Sequence, residues 1–231
     1  MNPKDRLIVA LDVDSRERAQ TLVDELTPHV GMFKVGKELF TSEGPEMVRA
    51  IVAAGGRVFL DLKFHDIPNT VAKAVGAASR LGAFFVTVHT SGGRAMLEAA
   101  ASALPAEGTQ LLGVTVLTSH TDESLRETGA RGTVTETVRQ LAVLARESGI
   151  DGVVCSPHEI TVIRETVGDD LVIVTPGIRP KGSARGDQAR VTTPSEALRL
   201  GCDYIVVGRP ITEAASPKDA AQAIVEELSR G

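Results

Sequence analysis

The chain has 231 residues, 42% of them apolar, and a formal net charge of −5. This length suits one large α/β domain or two small ones, and the apolar content is enough for a sizeable core. The acidic balance and the 3% aromatic content argue against a nucleic-acid-binding surface. No apolar run approaches the roughly 18 residues of a membrane span, so we expect neither nucleic acid nor a membrane as a partner.

The two cysteines, Cys155 and Cys202, lie in separate apolar runs with no metal-ligand spacing between them. We interpret both as small buried hydrophobic residues rather than as a disulfide or a metal site. The residues after Met1 lack a signal-peptide core. Together these features lead us to expect a protein of the reducing cytoplasm.

Eight short apolar runs, rich in β-branched residues, alternate with amphipathic segments along the chain. Such runs are typical of parallel strands covered by helices. The predicted strands are residues 7–11, 32–35, 58–62, 84–88, 111–117, 152–155, 171–174 and 204–207. The predicted helices are residues 15–26, 44–54, 70–81, 93–103, 133–148, 157–166, 194–200 and 217–228.

Eight βα units in a chain of this length predict an α/β fold of the (β/α)₈ TIM-barrel type, with residues 1–231 as a single domain. A doubly wound open sheet is the rival fold. No Gly-x-Gly-x-x-Gly follows the first predicted strand, which weakens the dinucleotide-binding form of that rival. Two connections, 118–132 and 176–191, are long for βα loops, and such loops are often lids or binding loops.

Charged residues accumulate where the third predicted strand ends, in the stretch DLKFHDIPNT at residues 61–70. Burying such charges is costly unless they pair, so this placement indicates chemistry rather than surface decoration. A local alternative is open for Asp66, which precedes Pro68 and has the position of a helix cap.

Residue alternation is expected to bring four of these charged groups to one rim of the barrel. Alternate strand residues point into a barrel, and catalytic groups come from the carboxyl ends of its strands. On this rule Asp12, Lys34, Asp61 and Lys63 meet on three neighbouring strands. Opposite charges alternate among them, so their desolvation is tolerable. A structural ion-pair network is the alternative to an active site.

The segment GRPI at residues 208–211 follows the last predicted strand. Glycine lets a ligand approach the backbone, and Arg209 offers a planar fork for an oxyanion. A helical turn starting after Pro210 would direct free N–H groups to the same ligand. The preceding long loop adds Arg179, Lys181, Arg185 and Gln188. We interpret this region as a phosphate site rather than as a solvated turn.

The five histidines form no short-spaced ligand set, so no metal site is predicted from them. None of them pairs with a Ser or Cys nucleophile at a recognisable spacing. We interpret them as structural or solvent-facing residues, and His89 is the one that directly follows a predicted strand.

The stretch at residues 61–70 closely resembles the signature of the orotidine 5′-phosphate decarboxylase family. Further segments resemble that family in order along the chain: residues 11–12, 33–36, 113–119, 175–180 and 207–211. The resemblance implies decarboxylation of orotidine 5′-monophosphate (orotidylate) to UMP and CO₂ in de novo pyrimidine biosynthesis. It also implies a homodimer without cofactor or metal, whose active site is shared across the subunit interface.

The resemblance further implies roles for the residues of the charged rim. Lys63 would protonate C6 of the pyrimidine, and Asp61 would lie beside the departing carboxylate. Lys34 would belong to the same array and contact the ribose, and Asp12 would bind a ribose hydroxyl.

The same resemblance implies a set of contacts around the rest of the substrate. Three residues would reach into the neighbouring subunit's site: Asp66, Ile67 and Thr70. Thr118 and Ser119 would lie near the base. The phosphate would be held by Arg179, Gln188, Gly208 and Arg209, with the loop around Gln188 closing as a lid.

Two other functions remain open from the sequence. A metal-dependent phosphosugar decarboxylase on a related barrel would share the Asp-x-Lys-x-x-Asp pattern of residues 61–66 but depend on a metal ion. A non-catalytic nucleotide-binding barrel would bind UMP without turning over orotidylate. Sensitivity to a chelator and turnover itself distinguish the three.

Overall fold

The computed structural model describes residues 1–105, 108–180 and 192–230, and its sheet is a closed barrel of eight strands. The strands are β1 Leu7–Ala10, β2 Met32–Gly36, β3 Val58–Phe64, β4 Phe85–His89, β5 Gln110–Val114, β6 Gly152–Val154, β7 Val172–Thr175 and β8 Tyr204–Val207. Each pairs in parallel with the next, and β8 pairs in parallel with β1. This closure confirms the predicted TIM barrel and rules out the open sheet.

Helices surround the barrel and return the chain between successive strands. They are α1 Arg16–Leu26, α2 Lys37–Glu43, α3 Pro45–Ala53, α4 Pro68–Arg80, α5 Arg94–Ser102, α6 Asp122–Glu127, α7 Val134–Glu147, α8 Ile160–Val167, α9 Pro194–Arg199, α10 Arg209–Thr212 and α11 Pro217–Ser229. Short 3₁₀ helices occupy Pro3–Arg6, Thr90–Gly92 and Pro157–Glu159. None of these helices combines the length and apolar character of a membrane crossing within the described ranges.

Two of the helices, α2 and α6, lie where no helix was predicted. Helix α6 occupies part of the connection 118–132 that was expected to be a loop, and Thr121 caps it by accepting a hydrogen bond from the Ser124 amide. Only Leu39 is buried in α2, and only Leu125 is buried in α6. Because one buried residue makes no periodic apolar stripe, neither helix has a recognisable sequence signal.

The core has two layers that follow the alternation of the strands. The layer inside the barrel consists of Ile8, Ala10, Met32, Phe59, Phe85, Leu112, Val174, Tyr204 and Val206. Phe85 packs edge-to-face against Phe59, with ring centres 5.9 Å apart, and against Tyr204, at 5.2 Å. The neighbouring strand residues, such as Val9, Phe33 and Leu60, face the helices instead. Through Phe59 and Val206, this inner layer forms the floor of the site described next.

Candidate active site

Four charged side chains form a continuous array above this floor. The Lys63 ammonium lies 2.7 Å from each oxygen of the Asp61 carboxylate. The Lys34 ammonium lies 2.8 Å from Asp12 Oδ1 and 3.9 Å from Asp61 Oδ2. Acid and base therefore alternate in the order Asp12, Lys34, Asp61, Lys63. The structure brings together the four residues that strand alternation predicted at one rim.

The array is partly withdrawn from water. The side chains of Lys34 and Asp61 are each 12% exposed and that of Lys63 is 23% exposed, whereas Asp12 is 57% exposed. Charges held in this way interact more strongly than surface pairs, and each offsets the desolvation of its neighbour. The array is most exposed at its Asp12 end and most buried in its middle, at Lys34 and Asp61.

The backbone of β3 departs from a regular strand where it carries these charges. Leu60 pairs with Val86 and Phe64 pairs with Val88, so three residues of β3 lie opposite one residue of β4. Lys63 sits inside this bulge with φ of 55°, a left-handed conformation that costs a non-glycine residue free energy. Such outliers concentrate at functional sites. Alternation predicted the common face of Asp61 and Lys63 but not the bulge.

Thr87 of β4 is a site residue that was not predicted from the sequence. Its hydroxyl donates to Asp61 Oδ1 at 3.1 Å and accepts the Lys63 backbone N–H at 2.8 Å. A signal was available, since Thr87 has the same alternation parity as Phe85, which lies inside the barrel. Applying the parity rule to the fourth strand would have found it.

The array opens into a cavity of about 250 Å³. Besides the four charged residues, it is lined by Phe59, Val114, Val116, Leu117, Thr118, Val154, Cys155, Pro176 and Val206. One wall is thus charged and the others are largely apolar. This combination suits a small molecule with a flat, weakly polar ring and several polar substituents.

One of the residues expected at a phosphate, Gly208, lies beside the charged array of this cavity. A Cβ placed on Gly208 would be 3.8 Å from Asp12 Oδ2, so this glycine borders the charged array. Burial lowers the pKa of Arg179, the nearby Arg209 guanidinium lowers it further, and Glu213 acts in the opposite direction. Helix α10 begins at Arg209 rather than after Pro210, and has only four residues. Two neighbouring guanidiniums beside a glycine suit an anion.

Three predicted residues do not enter the cavity of their own chain. Asp66, Ile67 and Thr70 are exposed at the start of α4, and Ile67 is 67% exposed. The Asp66 carboxylate accepts the Ile67 N–H at 2.6 Å, but the cap residue of α4 is Ile67 itself, so the capping role considered for Asp66 is wrong.

The remaining predicted residues divide between the cavity, the surface and the undescribed part of the chain. Thr118 lines the cavity, whereas Ser119 is exposed and does not line it. Gln188, with Lys181 and Arg185, lies outside the described residues.

Burial shifts the pKa of one histidine and of both cysteines. The ring of His89 lies 5.5 Å from that of His65. Burial lowers the pKa of His89, and His65 and Lys63 lower it further. Cys155 and Cys202 are buried and unpaired, as predicted. Burial raises the pKa of Cys202 to about 12 and that of Cys155 well above its usual range, so neither thiol is a nucleophile at neutral pH. No cluster of three or more metal-ligating side chains occurs in the described part of the chain.

Comparison with known proteins places this geometry in a family. The family model described as "Orotidine 5'-phosphate decarboxylase / HUMPS family" matches residues 5–224. A protein of Moorella thermoacetica named orotidine 5′-phosphate decarboxylase is 56% identical over 236 residues, which cover 99% of this chain and 94% of that protein. One of Halorhodospira halophila with the same name is 54% identical, with coverage of 97% and 96%.

Solved structures agree with the sequence comparison. The orotidine 5′-phosphate decarboxylase of Lactobacillus acidophilus superposes with a TM-score of 0.86 at 43% identity, covering 96% of this chain and 98% of that one. The enzyme of Pyrococcus horikoshii OT3 superposes with a TM-score of 0.79 at 30% identity, covering 97% and 99%. The chain therefore belongs to the orotidine 5′-phosphate decarboxylase / HUMPS family.

Proposed function

We propose that this protein is an orotidine 5′-phosphate decarboxylase, which converts orotidylate to UMP and CO₂ in de novo pyrimidine biosynthesis. One observation carries the proposal: in a chain of this family, the Lys63 ammonium is held by both oxygens of Asp61 at the mouth of an apolar cavity. High identity over nearly the full length of relatives that bear the same enzyme name supports it.

The reaction needs a fixed cation at the reacting carbon. Loss of CO₂ from C6 of the pyrimidine leaves a localised carbanion with no easy electron sink. An ammonium at that carbon stabilises the developing charge and then delivers the proton. We assign this role to Lys63, because this residue lines the cavity and its Nζ is held by Asp61. Asp61 would lie beside the departing carboxylate.

The ribose, the base and the phosphate of the nucleotide are each assigned to a different group of residues. Lys34 and Asp12 form the more open end of the array, where they would contact the ribose hydroxyls. Thr118 lines the cavity and would contact the base, with Ser119 beside it. The phosphate would lie at Gly208, Arg179 and Arg209, with Gln188 completing its shell. Because the phosphate is remote from C6, its binding energy is available to raise kcat as well as to lower KM.

We further propose a homodimer in which each subunit completes the other's site. Asp66, Ile67 and Thr70 are exposed and do not line their own cavity, and Ile67 is a large apolar residue left exposed close to the charged rim. A second copy of the chain would cover it and receive the Asp66 carboxylate. We place the enzyme in the cytoplasm, where its buried thiols remain reduced.

The direct test is the loss of orotidylate absorbance with and without a chelator. We expect turnover that a metal chelator leaves unchanged, because the reaction assigned here uses neither metal nor cofactor. Turnover abolished by the chelator and restored by a divalent cation would favour the metal-dependent phosphosugar class. UMP binding without turnover of orotidylate would favour a non-catalytic barrel.

A further inference from the structure

We propose that Thr87 is a positioning residue that holds Asp61 and Lys63 in their reactive arrangement. The inference rests on the proposed function, since it concerns the residues assigned to that reaction. Thr87 lies on β4 directly opposite the β3 bulge and is fully buried. Its hydroxyl forms a hydrogen bond with each of the two residues.

The bulge creates the need for such a residue. In a regular parallel ladder, alternate β3 residues would donate their amide N–H to backbone carbonyls of β4. With three residues of β3 opposite one residue of β4, the Lys63 N–H lacks a ladder partner. Its hydrogen bond goes to the Thr87 hydroxyl at 2.8 Å instead. The side chain of Thr87 thereby replaces a backbone carbonyl.

The direction of the second hydrogen bond follows from the first. A hydroxyl has one proton to donate, and an ionised carboxylate only accepts. Because the Thr87 oxygen accepts the Lys63 N–H, its own proton is directed to Asp61 Oδ1 at 3.1 Å. The same Oδ1 lies 2.7 Å from the Lys63 ammonium.

These contacts close a ring that passes from the Lys63 amide through Thr87 and Asp61 to the Lys63 ammonium. Lys63 is therefore held at two points. The Thr87 hydroxyl accepts its backbone N–H, and Asp61, which accepts a hydrogen bond from the same hydroxyl, holds its ammonium. No water reaches this hydroxyl to replace it, because Thr87 is fully buried. The left-handed backbone of Lys63 also needs support from its surroundings to persist.

The test compares three variants with the parent enzyme on orotidylate. Thr87→Val keeps the shape and removes the hydroxyl, Thr87→Ser keeps the hydroxyl, and Thr90→Val is the matched control. Thr90 is also fully buried, but its hydroxyl makes no hydrogen bond within the described residues. We expect Thr87→Val to lower kcat roughly 10- to 100-fold, the effect of losing a hydrogen bond to a charged group. KM and the dissociation constant of UMP should change less than about threefold, because the phosphate and ribose contacts remain.

Rescue by the conservative variant separates positioning from packing. We expect Thr87→Ser to keep most of the parent kcat, and Thr90→Val to match the parent. Parent-like kcat in Thr87→Val would overturn the proposal, as would equal losses in the Val and Ser variants. Should Thr87→Val fail to fold, Thr87→Ala is measured in the same way. Unfolding of both while Thr87→Ser stays folded would assign Thr87 to stability alone. No turnover by the parent and by Thr90→Val would instead refute the proposed function.

Discussion

Lys63 combines a strained backbone with the amine on which the proposed chemistry depends. Its φ of 55° is the one positive value for a non-glycine residue among those described. Such a conformation costs about 1–2 kcal/mol, and glycine escapes the cost. Glycine would adopt this backbone conformation more easily than lysine. The presence of lysine therefore indicates that the site requires the lysine side chain.

Two substitutions at this position separate its side chain from its backbone. Lys63→Ala and Lys63→Gly should both lose the general acid, lowering decarboxylation by roughly 10²- to 10⁴-fold or more. The free energy of unfolding of Lys63→Gly should equal that of Lys63→Ala or exceed it by up to about 1 kcal/mol, because glycine accepts the left-handed conformation. Orotidylate turnover and urea unfolding measure the two effects. Substantial turnover by either variant would refute the assignment of Lys63 as proton donor.

Arg209 offers a second test at the scale of one residue. Arg209→Ala should lower kcat/KM for orotidylate roughly 10- to 100-fold, since it removes a charged hydrogen-bond donor from the phosphate. Inhibition by UMP should weaken with it, whereas inhibition by uridine, which has no phosphate, should not change.

The matched control for that substitution is Arg199→Ala. Arg199 is exposed in the last turn of α9, which leads into the opposite end of the barrel from the site. The kcat/KM of Arg199→Ala for orotidylate should equal that of the parent. Equal values for Arg209→Ala and the parent would remove Arg209 from the phosphate site.

At the scale of elements, the aromatic layer inside the barrel supports the charged rim. Phe85 of β4 is fully buried between Phe59 of β3 and Tyr204 of β8. It therefore joins strands on opposite sides of the barrel directly beneath the site. The bulge in β3 begins just above this layer, at Leu60.

Removing the ring from this layer should weaken the whole barrel. Phe85→Ala should lower the free energy of unfolding by about 3–5 kcal/mol, through lost burial and the cavity left behind. Val52→Ala, at an exposed position of α3, should change it by less than about 0.5 kcal/mol. Urea denaturation measures both. If Phe85→Ala lowers the free energy of unfolding no more than Val52→Ala does, the aromatic layer does not stabilise the barrel as proposed.

At the scale of the whole molecule, the proposed shared site predicts recovery of activity from two inactive enzymes. Mixing Lys63→Ala with Asp66→Ala subunits should form hybrid dimers in which one of the two sites has both residues intact. Random exchange of equal amounts would restore about a quarter of the parent's sites in a two-fold dimer. Orotidylate turnover after mixing, with exchange confirmed by mass, measures the recovery.

A second mixture controls for effects other than sharing. Lys63→Ala and Asp61→Ala lie in one chain's site, so every site of their hybrid lacks one residue and no activity should return. Recovery in this control, or none in the Lys63 and Asp66 mixture after exchange, would argue against Asp66 acting across an interface.

Much of this architecture was predictable because its signals are local. Apolar runs and amphipathic periods predicted all eight strands and most helices, with ends displaced by a few residues: the fifth strand was predicted to reach residue 117 but β5 ends at Val114. The rim of Asp12, Lys34, Asp61 and Lys63 followed from alternation, and the orotidylate chemistry from the resemblance of residues 61–70.

The amino-acid sequence by itself determined the barrel, the side of each strand that faces inward and the charges at the carboxyl ends, because these depend on near neighbours in the chain. Only the tertiary structure decided the bulge that turns Lys63 into a left-handed conformation and the hydroxyl of Thr87 that bridges it to Asp61. Both depend on the register between β3 and β4, whose residues are more than twenty positions apart. Register is set by pairing and packing of the whole sheet, so no local pattern contains it.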